Sequence, residues 1–456
     1  MAGLFAARAL RAGRVNFDPF GERSSDEDDS DDDLEAVEEA PEMTEEEALK
    51  YGGGGPAVAQ KARFEEKAKE VEATFDLSVD ISDESTASKL PPLTVLDSRW
   101  ESPCEMIYED DDAEVFCVRF SPDDTLVAAG CGDSVVRVFH CDDGRLAYNL
   151  ERDASEAMNR MPLTCLRWRP AAAAGTKNVL LSANSDGTVQ HWHVTSRKCL
   201  HTIKEEDENG KPNQVYALDY RGDATAFATA GKDYAVRVYD EATKSVTAKL
   251  ASGWVGAPSA GHSNRVFTLK FVPDDPQLLL SGGWDNTVQI WDLRTSQPAA
   301  SLFGPHICGD AIDVSGNEVL TGSWRQEKQL EIWDLRKHEL ICDVPFRPAA
   351  LAGQGDPCSL YACQFSKPGG AGPQMLAAGG SGSNELKLFA RAGLAPLGRL
   401  TLPRGVYGLD MSHDGSSVAV AGGDCKIRVL QVPGRDGGKK APAAPAVAAA
   451  PAVEAS

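Results

Sequence analysis

Few stretches of this chain combine residue types that do chemistry at the spacing that chemistry requires. His191 and His193, in "HWH", are two apart and so share one face of a strand, as two ligands of a zinc site would. No third ligand accompanies them, and a polar strand edge accounts for both. The glycine-rich runs "GGGG" (52–55) and "GGSGSN" (379–384) would cradle a phosphate only with a helix and a lysine behind them. Neither has these, and both read as turns. Acidic pairs occur in "PDD" at 122–124 and 273–275, equivalent places in a recurring turn where Asp is ordinary. There is no G-x-S-x-G elbow and no Cys-x-x-Cys pair. The eleven cysteines are scattered, several inside apolar runs such as "VFCVRF" and "LTCLRW", the pattern of reduced buried thiols in a cytosolic or nuclear protein. The expectation is a non-enzyme without cofactor or metal.

Charge is distributed unevenly. Of the net −23, positions 1–100 contribute −14 (11 basic, 25 acidic residues), leaving −9 for the rest. The segment 21–47 alone holds 15 acids and one arginine, too much like charge to fold, so a disordered acidic arm is expected. Ser24, Ser25 and Ser30 are each followed by acids and read as phosphorylation sites for acidophilic kinases. The start, 1–17, carries Arg8, Arg11 and Arg14 with no acid, a weak echo of a transit peptide. Its poverty in Ser and Thr favours an ordinary terminus. Residues 56–75 read as one charged helix with Pro near its start, and the Pro/Ala-rich 434–456 as a disordered tail. No clustered Lys/Arg points to nucleic acid, and no apolar run is long enough to span a bilayer.

Between 101 and 433 the elements that must position any site come into view. Short β-rich runs recur at intervals of roughly 41 to 56 residues. Each module is an apolar strand, a "SPDD"-like turn, a small-residue strand ending in Gly, a tight turn with Asp, and an alternating strand with an aromatic at its end. Seven copies close on "GDSVVRVFH", "SDGTVQHWH", "KDYAVRVYD", "WDNTVQIWD", "KQLEIWD", "NELKLFA" and "GDCKIRVLQ". Turn Asp and strand-end aromatic keep a six-residue offset in Asp133/Phe139, Asp186/Trp192, Asp233/Tyr239 and Asp285/Trp291.

These units resemble the WD-repeat family. The resemblance implies an all-β, seven-bladed β-propeller flanked by an acidic N-terminal extension and a tail. It also implies a buried His–Ser/Thr–Asp–Trp hydrogen-bond relay, which falls on His262, Ser281, Asp285 and Trp291 in the fourth repeat. The fifth keeps His306, Thr321 and Trp333 but has "RQEK" where the tight turn belongs. Open sheet edges are costly, so ring closure is expected, and the spare strand "CEMIYE" (104–109) is the candidate to complete the last blade.

By the same resemblance, the turn between second and third strands lies on the upper face near the channel. It carries Trp284 and, in "TGSW", Trp324, with Arg265 and Arg404 preceding the first strands of their blades. Together they are candidates for a partner-binding platform. On the lower face, "WDLR" at 291–294 and 333–336 looks like the box by which WD-repeat substrate receptors dock a cullin–RING ligase adaptor, which would give that contact to Arg294 and Arg336. The leading expectation is a non-catalytic interaction scaffold, a monomeric propeller inside a larger complex in cytoplasm or nucleus. The alternatives are a ligase substrate receptor, a carrier of basic proteins such as histones or ribosomal proteins through the acidic arm, and a subunit of a ciliary or microtubule assembly.

Overall fold

The computed structural model describes residues 98–103, 113–152, 161–171, 178–251, 261–346, 357–367 and 374–432. The acidic segment with Ser24, Ser25 and Ser30, the 56–75 helix, residues 104–109 and the tail beyond 432 lie outside the described residues. Twenty-eight strands form seven antiparallel four-stranded sheets, so the architecture is a seven-bladed propeller. Strands a to d of a blade run from the central channel outward. Blades 1 to 6 occupy 115–150, 163–204, 215–250, 266–303, 312–343 and 359–401, and blade 7 occupies 406–431.

Burial explains which residues serve where. The second strands, such as Leu126–Cys131, Ala226–Gly231 and Ser417–Gly422, are buried along their whole length between neighbouring blades, and only small or apolar side chains fit. The outer strands, such as Leu146–Leu150 and Gln297–Phe303, expose part of each residue pair and admit polar side chains. A glycine ends the second strand where the first strand's entry passes close by. A Cβ on Gly283 would collide with the carbonyl of Arg265, and one on Gly422 with that of Gly405.

The strand that completes blade 7 is Ser98–Pro103, antiparallel to Lys426–Gln431. Closure thus uses a spare segment ahead of the first repeat, but one lying just upstream of the expected 104–109. "SRWESP" lacks the apolar alternation that drew attention to "CEMIYE". An outermost strand needs backbone pairing more than side-chain burial, so hydropathy did not single it out.

Inside the ring, one position on each first strand forms a belt: Arg119, Arg167, Asp219, Lys270, Asp313, Gln364 and Asp410. The three acids each reach the next blade. Asp219 accepts the Phe271 N–H, Asp313 that of Phe365, and Asp410 that of Phe120, all at 2.8 Å. Each also pairs with a cation of the preceding blade: Asp219 with Arg167 (3.0 Å), Asp313 with Lys270 (2.8 Å) and Asp410 with Lys367 (3.0 Å). Burial alone would raise the Asp410 carboxyl, but Lys367 and Arg119 beside it hold it below the usual range. Asp310 of blade 5 crosses the channel to Arg119 and Arg167 of the opposite blades 1 and 2. Below this strut lies a cavity of about 330 Å³ reaching the turns that hold Pro122, Pro170 and His413.

Two outcomes follow. A chain starting at residue 98 should melt like the full protein, whereas one starting at 104 should melt earlier and associate through its bared Lys426–Gln431 edge. Equal melting and light scattering of the two chains would contradict closure by this strand. Asp310→Ala should cost about 3 kcal/mol in chemical denaturation, since it strips buried arginines of a partner.

Candidate functional site

The channel mouth is built by a backbone irregularity repeated around the ring. In six blades the pairing of first and second strands slips near the top, with shifts at Val115/Cys117, Leu163/Cys165, Val215/Ala217, Val266/Thr268, Leu360/Ala362 and Val406/Gly408. A bulge re-aims its extra side chain. The extra residues are Phe116, Thr164, Tyr216, Phe267, Tyr361 and Tyr407, five of them aromatic. Phe116 stacks on Tyr407 (5.7 Å), Tyr407 meets Tyr361 edge-on (5.3 Å) and Tyr361 meets Trp324 edge-on (5.0 Å). On the other side Tyr216 stacks on Phe267 (4.8 Å), which packs on Trp284 (5.2 Å), which in turn lies against His306 (6.2 Å). Blade 5 has no such shift, and Asp310 stands near the corresponding place.

The four expected platform residues divide. Trp284 is half-buried, donates its indole N–H to Cys308 Sγ (2.9 Å) and lies under the Arg265 guanidinium at 5.3 Å. Much of its surface is therefore spent on packing. Trp324 is 36% exposed and holds only one edge against Tyr361. Arg265 has one guanidinium nitrogen buried without an acceptor. Arg404 is exposed. Phe303, which sequence reading passed over, is 74% exposed at the end of blade 4, just before the crossover whose His306 carbonyl accepts the Trp324 N–H.

The four relay residues come together. His262 bonds Asp285 Oδ2 through Nδ1 (2.7 Å) and Ser281 Oγ through Nε2 (2.6 Å), and Trp291 donates its indole N–H to the same Oγ (2.7 Å). This Ser–His–Asp connectivity is that of an acyl-transfer triad. Here, however, Ser281 is fully buried, His262 is 1% exposed, and the Trp291 N–H occupies the oxygen that would attack. Burial would raise the Asp285 carboxyl, but hydrogen bonds from His262, Thr287 and Ser263 outweigh it and hold it below the usual range.

Other blades improvise. Trp333 reaches Thr321 (3.1 Å), but His306 turns instead to Asn286 (2.8 Å) and Trp284, so blade 5 lacks the histidine link its sequence offered. In blade 3, Glu205 takes the Tyr239 hydroxyl (2.9 Å) and binds Thr229.

On the opposite face, Arg294 folds back onto its own Asp292 in two bonds (2.9 and 2.7 Å), while the Arg336 side chain is exposed. His191 is buried against Glu241 (3.2 Å), and His193 bonds Ser196 (2.6 Å), so the two imidazoles do not converge. No group of three metal-ligating side chains occurs among the described residues. The belt and the bulge aromatics had a signal in the sequence. Aligned first strands, "VFCVRF", "LTCLRW", "VYALDY", "VFTLKF", "LYACQF" and "VYGLDM", carry an aromatic second and a charged or amide residue fifth, with Thr164 the one exception in the second place.

The family model described as "WD domain, G-beta repeat" matches residues 102–140 and 258–292, the latter holding the complete relay. The chain is 28% identical over 247 residues to Periodic tryptophan protein 2 of Arabidopsis thaliana, covering 53% of this chain and 24% of that protein. It is 24% identical over 246 residues to a guanine nucleotide-binding protein subunit beta of the same plant, covering 51% and 60%. To the ribosome biogenesis protein YTM1 of Laccaria bicolor it is 25% identical over 205 residues, covering 42% of each. The matches thus span less than two thirds of these relatives.

In denaturation, His262→Ala should cost about 3–5 kcal/mol by leaving Asp285 buried without its partner, and Trp291→Phe about 1–2 kcal/mol for one lost buried bond. Because the folded Asp285 carboxyl is depressed, its contribution is complete above the unfolded value near about 3.9 and is lost as pH falls through the folded one. The His262→Ala protein should therefore show a flatter loss of stability on acidification, read from melting curves across that window. Trp284→Ala should destabilise by roughly 2–4 kcal/mol, and Trp324→Ala by under about 1 kcal/mol.

Proposed function

As a member of the WD-repeat family built on a closed seven-bladed propeller, this chain is, we propose, a non-catalytic scaffold that holds a protein partner at the mouth carrying Trp324. The observation that carries the reading is the exposed pair Trp324 and Phe303, flanking the crossover from blade 4 to blade 5. Exposed aromatics with a fixed base are the usual anchors of protein interfaces, because little side-chain entropy is lost when they are covered. The groups with catalytic connectivity, Ser281, His262 and Asp285, are used up within the blade, which supports the non-catalytic part.

A second reading has its own support. The acidic segment 21–47 suits a basic cargo, and relatives named as ribosome biogenesis proteins fit a nuclear carrier of basic proteins. Docking of a ligase adaptor through Arg294 and Arg336 draws less support, because Arg294 is already neutralised by Asp292.

Co-purification from cells with mass spectrometry separates these readings. Trp324→Ala with Phe303→Ser should release the principal partner while the melting temperature shifts little. Deletion of 21–47 should release only basic proteins, and Arg294→Ala with Arg336→Ala should change nothing. An unchanged partner list in the aromatic variant would overturn the proposal, and loss of a ligase adaptor from the arginine variant would replace it.

A further inference from the structure

We propose that this mouth recognises an acidic segment of the partner, with apolar side chains interleaved among its carboxylates. The inference rests on the scaffold reading above and names the chemistry that the scaffold selects. Its basis is a pair of arginines at this mouth, Arg265 and Arg404, that no carboxylate of the described residues neutralises, in a chain of net −23.

On the face of the channel that carries Trp324, six of the blades pair a turn acid with a basic side chain, and in blade 5 Glu327 is exposed. Asp133 pairs with Arg137 (2.7 Å), Asp186 with Arg152 (2.6 Å) and Asp233 with Arg237 (2.5 Å). Asp285 pairs with His262 (2.7 Å), Glu385 with Lys387 (3.0 Å) and Asp424 with Arg428 (2.6 Å). Arg265 and Arg404 pair with no carboxylate among the described residues. Both stand at the entry to a first strand, in blades 4 and 7. Trp324 of blade 5 lies between them along the ring.

Arg265 sharpens the case. Its guanidinium is stacked over Trp284, which withdraws it from water without supplying an acceptor, and one of its nitrogens is buried and unbonded. Unused donors on a half-buried cation are costly, and a carboxylate satisfies two of them at once. Arg404 is exposed to solvent. A segment supplying acids to the two arginines and an apolar side chain to Trp324 uses all three features. Nucleic acid fits less well, because its evenly spaced phosphates demand clustered cations and would be repelled by the rest of the chain.

The test titrates full-length protein against short fluorescent peptides of alternating Glu and Leu, with Gln/Leu and Lys/Leu versions as controls, followed by anisotropy. The Glu/Leu peptide should bind, weaken with rising salt, and bind roughly tenfold more weakly to Arg265→Gln/Arg404→Gln. Arg404→Glu alone, a change at an exposed side chain, should weaken it at unaltered melting temperature. Arg294→Gln on the opposite face should leave it unchanged. Equal binding of the Gln or Lys peptide, or superimposable titrations of wild type and the arginine variants, overturns the inference. If Trp324→Ala with Phe303→Ser still releases the cellular partner in that event, the scaffold reading stands and only the acidic class falls. If it does not, both fall.

Discussion

An unpaired strand edge is the constraint on which this molecule turns. Each blade is a small twisted sheet that cannot hide both faces alone, and a row of blades would leave its terminal faces bare. Closing the row into a ring covers every face, but only if the last blade receives a fourth strand from somewhere else in the chain. Ser98–Pro103 supplies it beside Lys426–Gln431, so the first and last strands of the propeller are bound by the same ladder. The seam between blades 7 and 1 is then reinforced where Asp410 takes the Phe120 N–H and Asp124 takes the backbone and ring of His413.

Closure also sets what the centre can be. Seven first strands converge on a narrow axis, and their side chains must either fill it or neutralise one another. Near one mouth, bulges place aromatic side chains that pack against one another from blade to blade. Three residues along each strand, a belt of acids, cations and one glutamine links most blades to the next. Blade 5 departs from the pattern, and its Asp310 becomes a strut across the channel instead of an aromatic in the wall. Such buried charges add little net stability over apolar packing. They do penalise any misalignment of blades, because a shifted register would strand them unpaired.

The relay of blade 4 shows how burial decides what a constellation of groups does. Ser281, His262 and Asp285 have the bonds of a hydrolytic triad, yet they lie sealed between strands and Trp291 occupies the hydroxyl. What these groups provide is a fixed distance between a turn and the neighbouring strand. By contrast, the chemistry left for a partner is of another kind: the aromatics Trp324 and Phe303, and the arginines Arg265 and Arg404, which pair with no carboxylate among the described residues.

The fold was legible from the sequence to an unusual degree, because repetition writes the same constraint seven times. The turn Asp, the strand-end aromatic and the glycine after the second strand are local requirements of backbone geometry, and each appears in most of the repeats. Blade number and the need for an extra closing strand were readable for that reason, whereas the relay of His262, Ser281, Asp285 and Trp291 came from the family resemblance alone. Which segment closes the ring was not, since an outer strand is selected by backbone pairing and "SRWESP" carries no pattern to announce it. His306 was indistinguishable from a relay histidine until the crossover placed it beside Asn286 and Trp284. Trp284 and Trp324 occupy equivalent places in sequence, and only packing made one an internal support and left the other at the surface. Sequence by itself determined the repeating frame, because each module obeys its own short-range rules. The tertiary structure alone decided which charges meet across the channel and which side chains remain for a partner, because those outcomes depend on neighbours that are distant along the chain.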